Sequence, residues 1–280
     1  MLDSGHGPAR ILPAATLSDV DGVAVVTGGS GGIGSAIVRR LAGDGVRTIL
    51  TYRSAAPSAL LDELGDRVVA FPLDVRDAAG ARSLAEAILE RHGAVHTVVH
   101  AAGPHVPMVH LSKVSVEQFA QQLDDDLVGF FAIAQAFLPA LRASSGSLTA
   151  VTSAATRRYP VRDGLSAAPK GGVEALARGL AAEEGRFGIR VNCVGPGMLW
   201  DGMSARLMAS GDLDERALEV ARTNIPLRRF GTAEDIAAAV AFLASPRPAS
   251  SAGRNSTSTG ASASDPSTRR RFSARPRGDR

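Results

Sequence analysis

The chain has 280 residues, of which 45% are hydrophobic, and its formal net charge is +3. This length suits one large globular domain with a full core. Residues 245–280 contain eight Arg and two Asp, so the tail carries +6 and the remaining chain −3. The basicity therefore belongs to the tail, which argues against nucleic acid as a partner.

Cysteine usage and hydropathy set further limits. The single cysteine, Cys193, excludes an intramolecular disulfide and fits a reducing, cytoplasmic compartment. No Cys/His cluster has the spacing of a zinc site, and no apolar run is expected to be long enough to cross a membrane. Residues 1–20 lack the order of a secretory signal, and we interpret them as a flexible leader.

Strand and helix signals alternate from residue 23 to residue 244. The predicted strands are 23–27, 47–52, 68–73, 95–100, 147–152 and 190–194. One predicted helix follows the first strand and ends near Gly43. The other predicted helices are 57–64, 78–92, 116–141, 167–184 and 232–244, with Ser115 and Thr232 as N-caps. Repeated βα units predict a single domain at residues 21–245, an α/β fold with a doubly wound parallel sheet in a three-layer α/β/α arrangement.

The ends of the predicted strands mark a candidate binding crevice. Ligands of such sheets bind beyond the carboxyl ends of the strands. The residues at or just after those ends are Thr27, Tyr52, Asp74, Ala101, Ser153 and Gly195. Residues 198–224 interrupt the alternation, and they fit either a lid over a substrate or a plain pair of surface helices.

The turn after the first strand reads Thr27-Gly28-Gly29-Ser30-Gly31-Gly32-Ile33-Gly34. Glycines there let the backbone approach a phosphate, and the following helix directs free N–H groups and its positive dipole end toward that anion. Taken alone, the motif also fits an ordinary βα turn.

Five motifs in order make residues 20–244 resemble the short-chain dehydrogenase/reductase family, whose fold is Rossmann-type. They are the glycine turn, Leu73-Asp74-Val75, Ala101-Ala102-Gly103, Arg190-Val191-Asn192 with Pro196-Gly197, and Gly231-Thr232-Ala233-Glu234-Asp235-Ile236-Ala237. The resemblance implies cofactor-binding roles for Gly28, Ser30, Gly32, Ile33, Gly34, Asp74, Val75, Ala101, Ala102, Gly103, Lys170, Pro196 and Gly197.

The resemblance also implies hydride transfer between a nicotinamide and a small-molecule carbonyl or alcohol substrate. Ser153 takes the place of the family's substrate-orienting Ser, and Lys170 takes that of its Lys. The family's proton-donating Tyr falls on Ser166, and its relay Asn falls on Asp126. The implied catalytic set is therefore Ser153, Ser166, Lys170 and Asp126.

Two of these positions depart from the family. A Ser166 hydroxyl is far less acidic than a phenol and is shorter by a ring, and Asp126 adds negative charge near Lys170. Alternative donors are Tyr159, His100 and His105, of which we expect Tyr159 to lie on the surface and His100 to pack at a strand end. Two hypotheses remain, an oxidoreductase with an altered donor and a weak or inactive dinucleotide-binding homologue that acts as a sensor or partner subunit.

Cofactor choice depends on the end of the second strand. NAD users of the family carry an Asp there, whereas this chain has Thr51-Tyr52-Arg53. A guanidinium suits a 2′-phosphate, so Arg53 favours NADP(H) over NAD(H). The usual Thr contact after Pro196-Gly197 is missing, and Asp201 lies near that position.

The tail, residues 246–280, is rich in Ser, Arg, Pro and Gly, and this composition predicts disorder. The family continues into a seventh strand. Residues 255–261 can be encoded by bases that, shifted by one, read Glu-Leu-His-Val-Asp-Gly-Gly, so we hypothesise a frameshift between residues 245 and 254. The resemblance further implies a homodimer or homotetramer through helices 116–141 and 167–184, weakened if the edge strand is lost.

Overall fold

The computed structural model describes residues 17–104, 106–200, 219, 222–223, 225–246 and 255–257. Its strands are β1 (Val23–Thr27), β2 (Thr48–Tyr52), β3 (Val68–Pro72), β4 (Val95–His100), β5 (Ser147–Val151), β6 (Arg190–Gly195) and β7 (Asn255–Thr257). Its helices are α1 (Gly32–Gly43), α2 (Ser58–Leu64), α3 (Ala78–His92), α4 (Val116–Leu123), α5 (Gly129–Ser144), α6 (Ala155–Arg158), α7 (Gly164–Glu184) and α8 (Ala233–Ala244).

The strands form one parallel sheet in the order β3-β2-β1-β4-β5-β6-β7. The order reverses between β1 and β4, whose paired residues Thr27 and His100 end both strands side by side. This confirms the predicted doubly wound α/β fold. The reversal opens a crevice at the carboxyl edge of the central strands.

Two apolar clusters cover the two faces of the sheet. One face packs against α3, α5 and α7, with Phe130 and Phe137 of α5 among its fully buried side chains. The other face packs against α1 and α8, with Ile37 and Ile236 at its centre. Burial on both faces of the sheet explains the continuous apolar run Val23–Val26 of β1.

The single helix predicted at 116–141 is divided. The capping box of Ser115 and Gln118 begins α4 as expected, but a π-helical turn at Asp124–Val128 separates α4 from α5. The wider turn holds Asp126 in a buried position.

The expectation that no stretch is long enough to cross a membrane is wrong on length. The continuous helical stretch Val116–Ser144 has a mean hydropathy of 1.5 and enough residues to cross. Length and composition alone therefore do not distinguish it from a membrane span. In this fold α5 packs against α3 and β4 as a core helix.

The expectation for the tail is wrong at three residues. Asn255–Thr257 form β7, which pairs in parallel with β6 in the register Cys193↔Asn255. Backbone hydrogen bonds to the free edge of β6 need no apolar side chain, which is why composition gave no signal for this strand. Residues 1–16 and 258–280 lie outside the described residues, and the frameshift stays a hypothesis.

Candidate active site

The glycine turn between β1 and α1 is tightly packed. Gly28 has a left-handed φ of +69°, and a Cβ there would lie 2.5 Å from the Cα of Ala102. A Cβ on Gly34 would lie 2.1 Å from the Gly28 carbonyl oxygen. Only glycine fits either position, so the turn brings bare backbone and the start of α1 to the crevice, as an anion-binding turn requires. Ser30 and Gly32 are exposed there, and Ile33 is half-buried.

The adenine-side residues predicted from the sequence lie together beyond β2 and β3. Asp74 accepts hydrogen bonds from the Arg76 side chain, at 2.6 Å from Nη2, and from the Arg76 backbone N–H. This guanidinium, and to a smaller degree Arg53, lowers the pKa of Asp74 to about 2. Arg53 is exposed, and no described residue forms an ion pair with it.

Val75 lies between this group and the middle of the crevice. A Cβ on Gly129, at the start of α5, would come within 2.8 Å of the Val75 side chain. The segment that follows β3 is thereby packed against the segment that carries Asp126.

The centre of the crevice holds an ion pair. Lys170 on α7 donates from Nζ to Asp126 Oδ1 at 2.6 Å, and Gln122 Nε2 donates to Asp126 Oδ2 at 2.7 Å. The side chain of Lys170 is 13% exposed and that of Asp126 is 1% exposed. The expectation that Asp126 adds negative charge near Lys170 is confirmed.

Gly103 lies beside this pair. A Cβ on Gly103 would be 3.2 Å from Lys170 Nζ and 3.3 Å from Asp126 Oδ1. Glycine therefore leaves open the space from which a ligand reaches the ammonium group. Ala101, which follows β4, is tied to β1 by its N–H donated to the Thr27 carbonyl oxygen at 3.0 Å.

Ser153 lies just after β5 and is half-buried. Its Oγ accepts a hydrogen bond from the Ala155 backbone N–H at 3.1 Å, which leaves the hydroxyl proton available to a ligand. The next residue, Ala154, donates its N–H to the Pro196 carbonyl oxygen at 2.8 Å. That bond brings the segment of Pro196 and Gly197 against the Ser153 segment.

Ser166 lies in the first turn of α7, which begins at Gly164 and not at the predicted residue 167. It is half-buried and precedes Lys170 by one helical turn, so the two share one face of α7. The structure thus brings Asp126 and Lys170 into contact and places Ser153 and Ser166 on neighbouring segments.

The other donors considered from the sequence are poorly placed. Tyr159 is 74% exposed and ends α6 in a left-handed conformation, as a surface residue. His100 is buried with Nδ1 3.0 Å from Thr27 Oγ1, and burial, with the Lys170 charge, lowers its pKa to about 3. His100 therefore stays neutral and packs at the strand end. His105, Asp201 and most of residues 198–224 lie outside the described residues.

Sequence reasoning missed Asp163, which immediately precedes α7. Its side chain makes no capping hydrogen bond to the helix, and burial raises its pKa to about 6.

Comparison with known proteins agrees with this geometry. The family model described as Enoyl-(Acyl carrier protein) reductase matches residues 28–258. L-fucose dehydrogenase of Mus musculus is 35% identical over 224 residues, covering 80% of this chain and 82% of that protein. The 3-oxoacyl-(acyl-carrier-protein) reductase of Rattus norvegicus is 32% identical over 225 residues, covering 80% and 91%.

Among solved structures, a variant of actinorhodin polyketide ketoreductase with NADPH superposes with a TM-score of 0.80 at 26% identity, covering 88% of this chain and 98% of that one. With its fold, its crevice and these relatives in agreement, the chain belongs to the short-chain dehydrogenase/reductase family of nicotinamide-dependent, hydride-transferring oxidoreductases.

Proposed function

We propose that this protein is an NADP(H)-dependent carbonyl or alcohol oxidoreductase that works without a phenolic proton donor. The observation that carries the proposal is the Lys170 ammonium, held 2.6 Å from Asp126 beside Gly103 in the crevice that the glycine turn also borders.

The residues present fit a dinucleotide. Glycine at positions 28 and 34 leaves backbone N–H groups near the start of α1 for the pyrophosphate, and Gly103 leaves the ribose side of the crevice open to Lys170. When bound, the nicotinamide supplies or accepts the hydride. Asp74 and Val75 border the adenine side, and Pro196 and Gly197 the nicotinamide side.

The protein's own part is to orient the substrate oxygen and to move a proton. Ser153 donates a hydrogen bond from its hydroxyl group to the carbonyl oxygen and so orients the substrate. Lys170, positively charged beside Asp126, stabilises negative charge that develops on that oxygen. Ser166, or a water bound to it, relays a proton from solvent to the substrate oxygen and is itself reprotonated from solvent.

Arg53 supports the choice of NADP(H). Its guanidinium is exposed at the end of β2, and its charge reaches the Asp74 carboxylate. A donor fork that forms no ion pair with the described residues is suited to a 2′-phosphate. The solved relative described above contains NADPH, which agrees with this choice.

The substrate class follows from the relatives. Their names describe an L-fucose dehydrogenase, a 3-oxoacyl-(acyl-carrier-protein) reductase and a polyketide ketoreductase. We therefore propose a carbonyl that is reduced to an alcohol, or the reverse, and a test panel of an aldose, a 3-oxoacyl thioester and a cyclic ketone.

The second hypothesis is a dinucleotide-binding homologue with little or no catalysis. Two observations favour it: Ser166 cannot act as a phenol does, and Asp126 neutralises part of the Lys170 charge. Such a protein would keep the glycine turn and the ion pair for binding alone.

The two hypotheses are separated by titrating the purified protein with NADPH and by measuring NADPH oxidation on the panel. Binding with turnover that Lys170→Ala abolishes supports the oxidoreductase. Binding without turnover, with activity gained in Ser166→Tyr, supports the non-catalytic homologue. If neither the wild-type protein nor Ser166→Tyr binds NADPH, both hypotheses are contradicted.

For the assembly, we propose a homodimer or homotetramer formed through α4, α5 and α7. Val128 and Phe131 are large apolar side chains that remain nearly half exposed on this helical surface. Phe131→Glu should therefore lower the mass measured by light scattering, whereas a monomeric wild-type protein would contradict the proposal.

A further inference from the structure

A buried carboxylate lies on α7 one turn beyond Lys170. Glu174 is 7% exposed, and its Oε1 accepts hydrogen bonds from Thr152 Oγ1 at 3.1 Å and from Thr156 Oγ1 at 2.9 Å. None of the described residues forms a salt bridge with it. Burying a carboxylate is costly unless it is hydrogen-bonded, and these two hydroxyl groups offset part of that cost.

The two threonines flank Ser153. Thr152 precedes it at the end of β5, and Thr156 follows it in α6 with its hydroxyl also 2.9 Å from the Ser153 carbonyl oxygen. The Thr156 proton is shared between that carbonyl and Glu174. Glu174 therefore attaches both sides of the Ser153 segment to one point on α7.

Glu174 lies on the same face of α7 as the residues that border the crevice. Ser166, Lys170 and Glu174 follow one another at intervals of four residues, so they form one stripe along the helix. The first two reach the crevice, and the third reaches the segment that carries Ser153. The separation between the Ser153 hydroxyl and the Lys170 ammonium is thus set through Glu174.

We infer that Glu174 is a positioning residue that fixes the position of the Ser153 hydroxyl relative to Lys170 and Ser166. This inference rests on the proposed oxidoreductase function, in which Ser153 orients the substrate oxygen. Glu174 itself touches neither substrate nor cofactor. Its effect on turnover passes through Ser153.

Glu184 supplies a matched control on the same helix. It is buried like Glu174, but it pairs with Arg142 of α5, with both carboxylate oxygens 2.7 Å from the guanidinium. Glu184→Ala therefore removes a buried carboxylate from α7 and disturbs packing far from Ser153. It should lower the melting temperature and leave kcat within about twofold of wild type.

The kinetic test uses a double-mutant cycle. Glu174→Ala should lower kcat by about 10- to 100-fold, the loss expected from misplacing one reacting group, with the KM for NADPH unchanged. Glu174→Gln, which keeps an acceptor oxygen, should recover most of that loss. Ser153→Ala/Glu174→Ala should be no slower than Ser153→Ala alone, because Glu174 acts only through Ser153.

Two results would overturn the inference. One is a double variant whose loss is the product of the two single losses, which would make Glu174 independent of Ser153. The other is a Glu174→Ala variant that behaves like Glu184→Ala, with lower melting temperature and unchanged kcat.

Amide hydrogen exchange distinguishes a failure of this inference from a failure of the proposed function. Residues 152–158 should exchange faster in Glu174→Ala than in wild type, and Glu184→Ala should leave them unchanged. If the wild-type protein shows no turnover, the proposed function fails, while the exchange measurement still tests the attachment. Unchanged exchange in Glu174→Ala contradicts the attachment itself.

Discussion

Removal of Lys170, which breaks a buried ion pair, should lower the free energy of unfolding much more than breaking a solvent-exposed ion pair does. Among the described residues, Lys170→Met leaves the side chain of Asp126, 1% exposed, with the hydrogen bond from Gln122 and no ion-pair partner. Breaking one side of a buried ion pair in this way costs about 3–5 kcal/mol in the free energy of unfolding. For a domain of this size that loss corresponds to a fall of about 6–20 °C in the melting temperature.

The measurement is thermal unfolding of purified variants, followed by circular dichroism without added cofactor. Lys170→Met/Asp126→Asn should recover most of the loss, because no charge then remains buried. The control is Arg39→Met, which breaks the Arg39–Glu63 pair at 2.8 Å with both side chains about half exposed, and it should leave the melting temperature unchanged. Equal melting temperatures for the Lys170 single and double variants would refute the reasoning.

Three further predictions concern other parts of the chain. Arg53→Asp should raise the KM for NADPH at least about tenfold and lower the KM for NADH. The same change at exposed Arg82 on α3 should alter neither KM. An equal change in the KM values for both cofactors would contradict the NADP(H) assignment. Burial raises the pKa of Asp163 to about 6 in the folded state, so folding favours its protonated form and stability falls as pH rises from about 4 to about 6. Asp163→Asn should therefore add about 1–3 kcal/mol in urea unfolding at pH 8 and almost nothing at pH 4, and an equal gain at both pH values would contradict the burial of this carboxyl. Burial, with the Glu174 charge, raises the pKa of Cys193 to about 12, so a disulfide thiol reagent should label it only in denaturant; rapid labelling of the native protein would show that β6 is accessible.

The features that the sequence predicted correctly are those with local signals. The N-caps Ser115 and Thr232 are both confirmed, each with the capping-box partner three residues on, because a side chain and its own helix end suffice to make that bond. The order of strands and helices is confirmed for the same reason. Each βα unit carries its own hydrophobic period and its own turn residues.

The division of the helix at Asp124–Val128 had no comparable signal. The apolar period runs through the π-helical turn without a break, and the wider turn is stabilised by contacts made elsewhere in the fold. One of these is the Lys170–Asp126 pair, between residues 44 positions apart in the chain. The family resemblance predicted that Asp126 and Lys170 lie near each other, but their direct hydrogen bond is known only from the structure.

Glu174 and Asn255–Thr257 escaped prediction for different reasons. Glu174 has no local signal in the sequence, because its partners Thr152 and Thr156 lie on another segment of the fold. The strand at Asn255–Thr257 depends on the free edge of β6 and not on its own composition. Both depend on partners far away in sequence, which a single sequence does not reveal.

The central claim is that this crevice transfers hydride although Ser166 replaces a phenol. It is tested most directly by incubating the purified protein with NADPH that carries deuterium at both C4 positions of the nicotinamide ring and with each carbonyl of the panel. The alcohol product is then measured by mass spectrometry. The account predicts one deuterium in the product from the wild-type protein and none from Lys170→Ala. If deuterium is found only with Ser166→Tyr, the wild-type protein is not an active oxidoreductase on that panel and the account is contradicted.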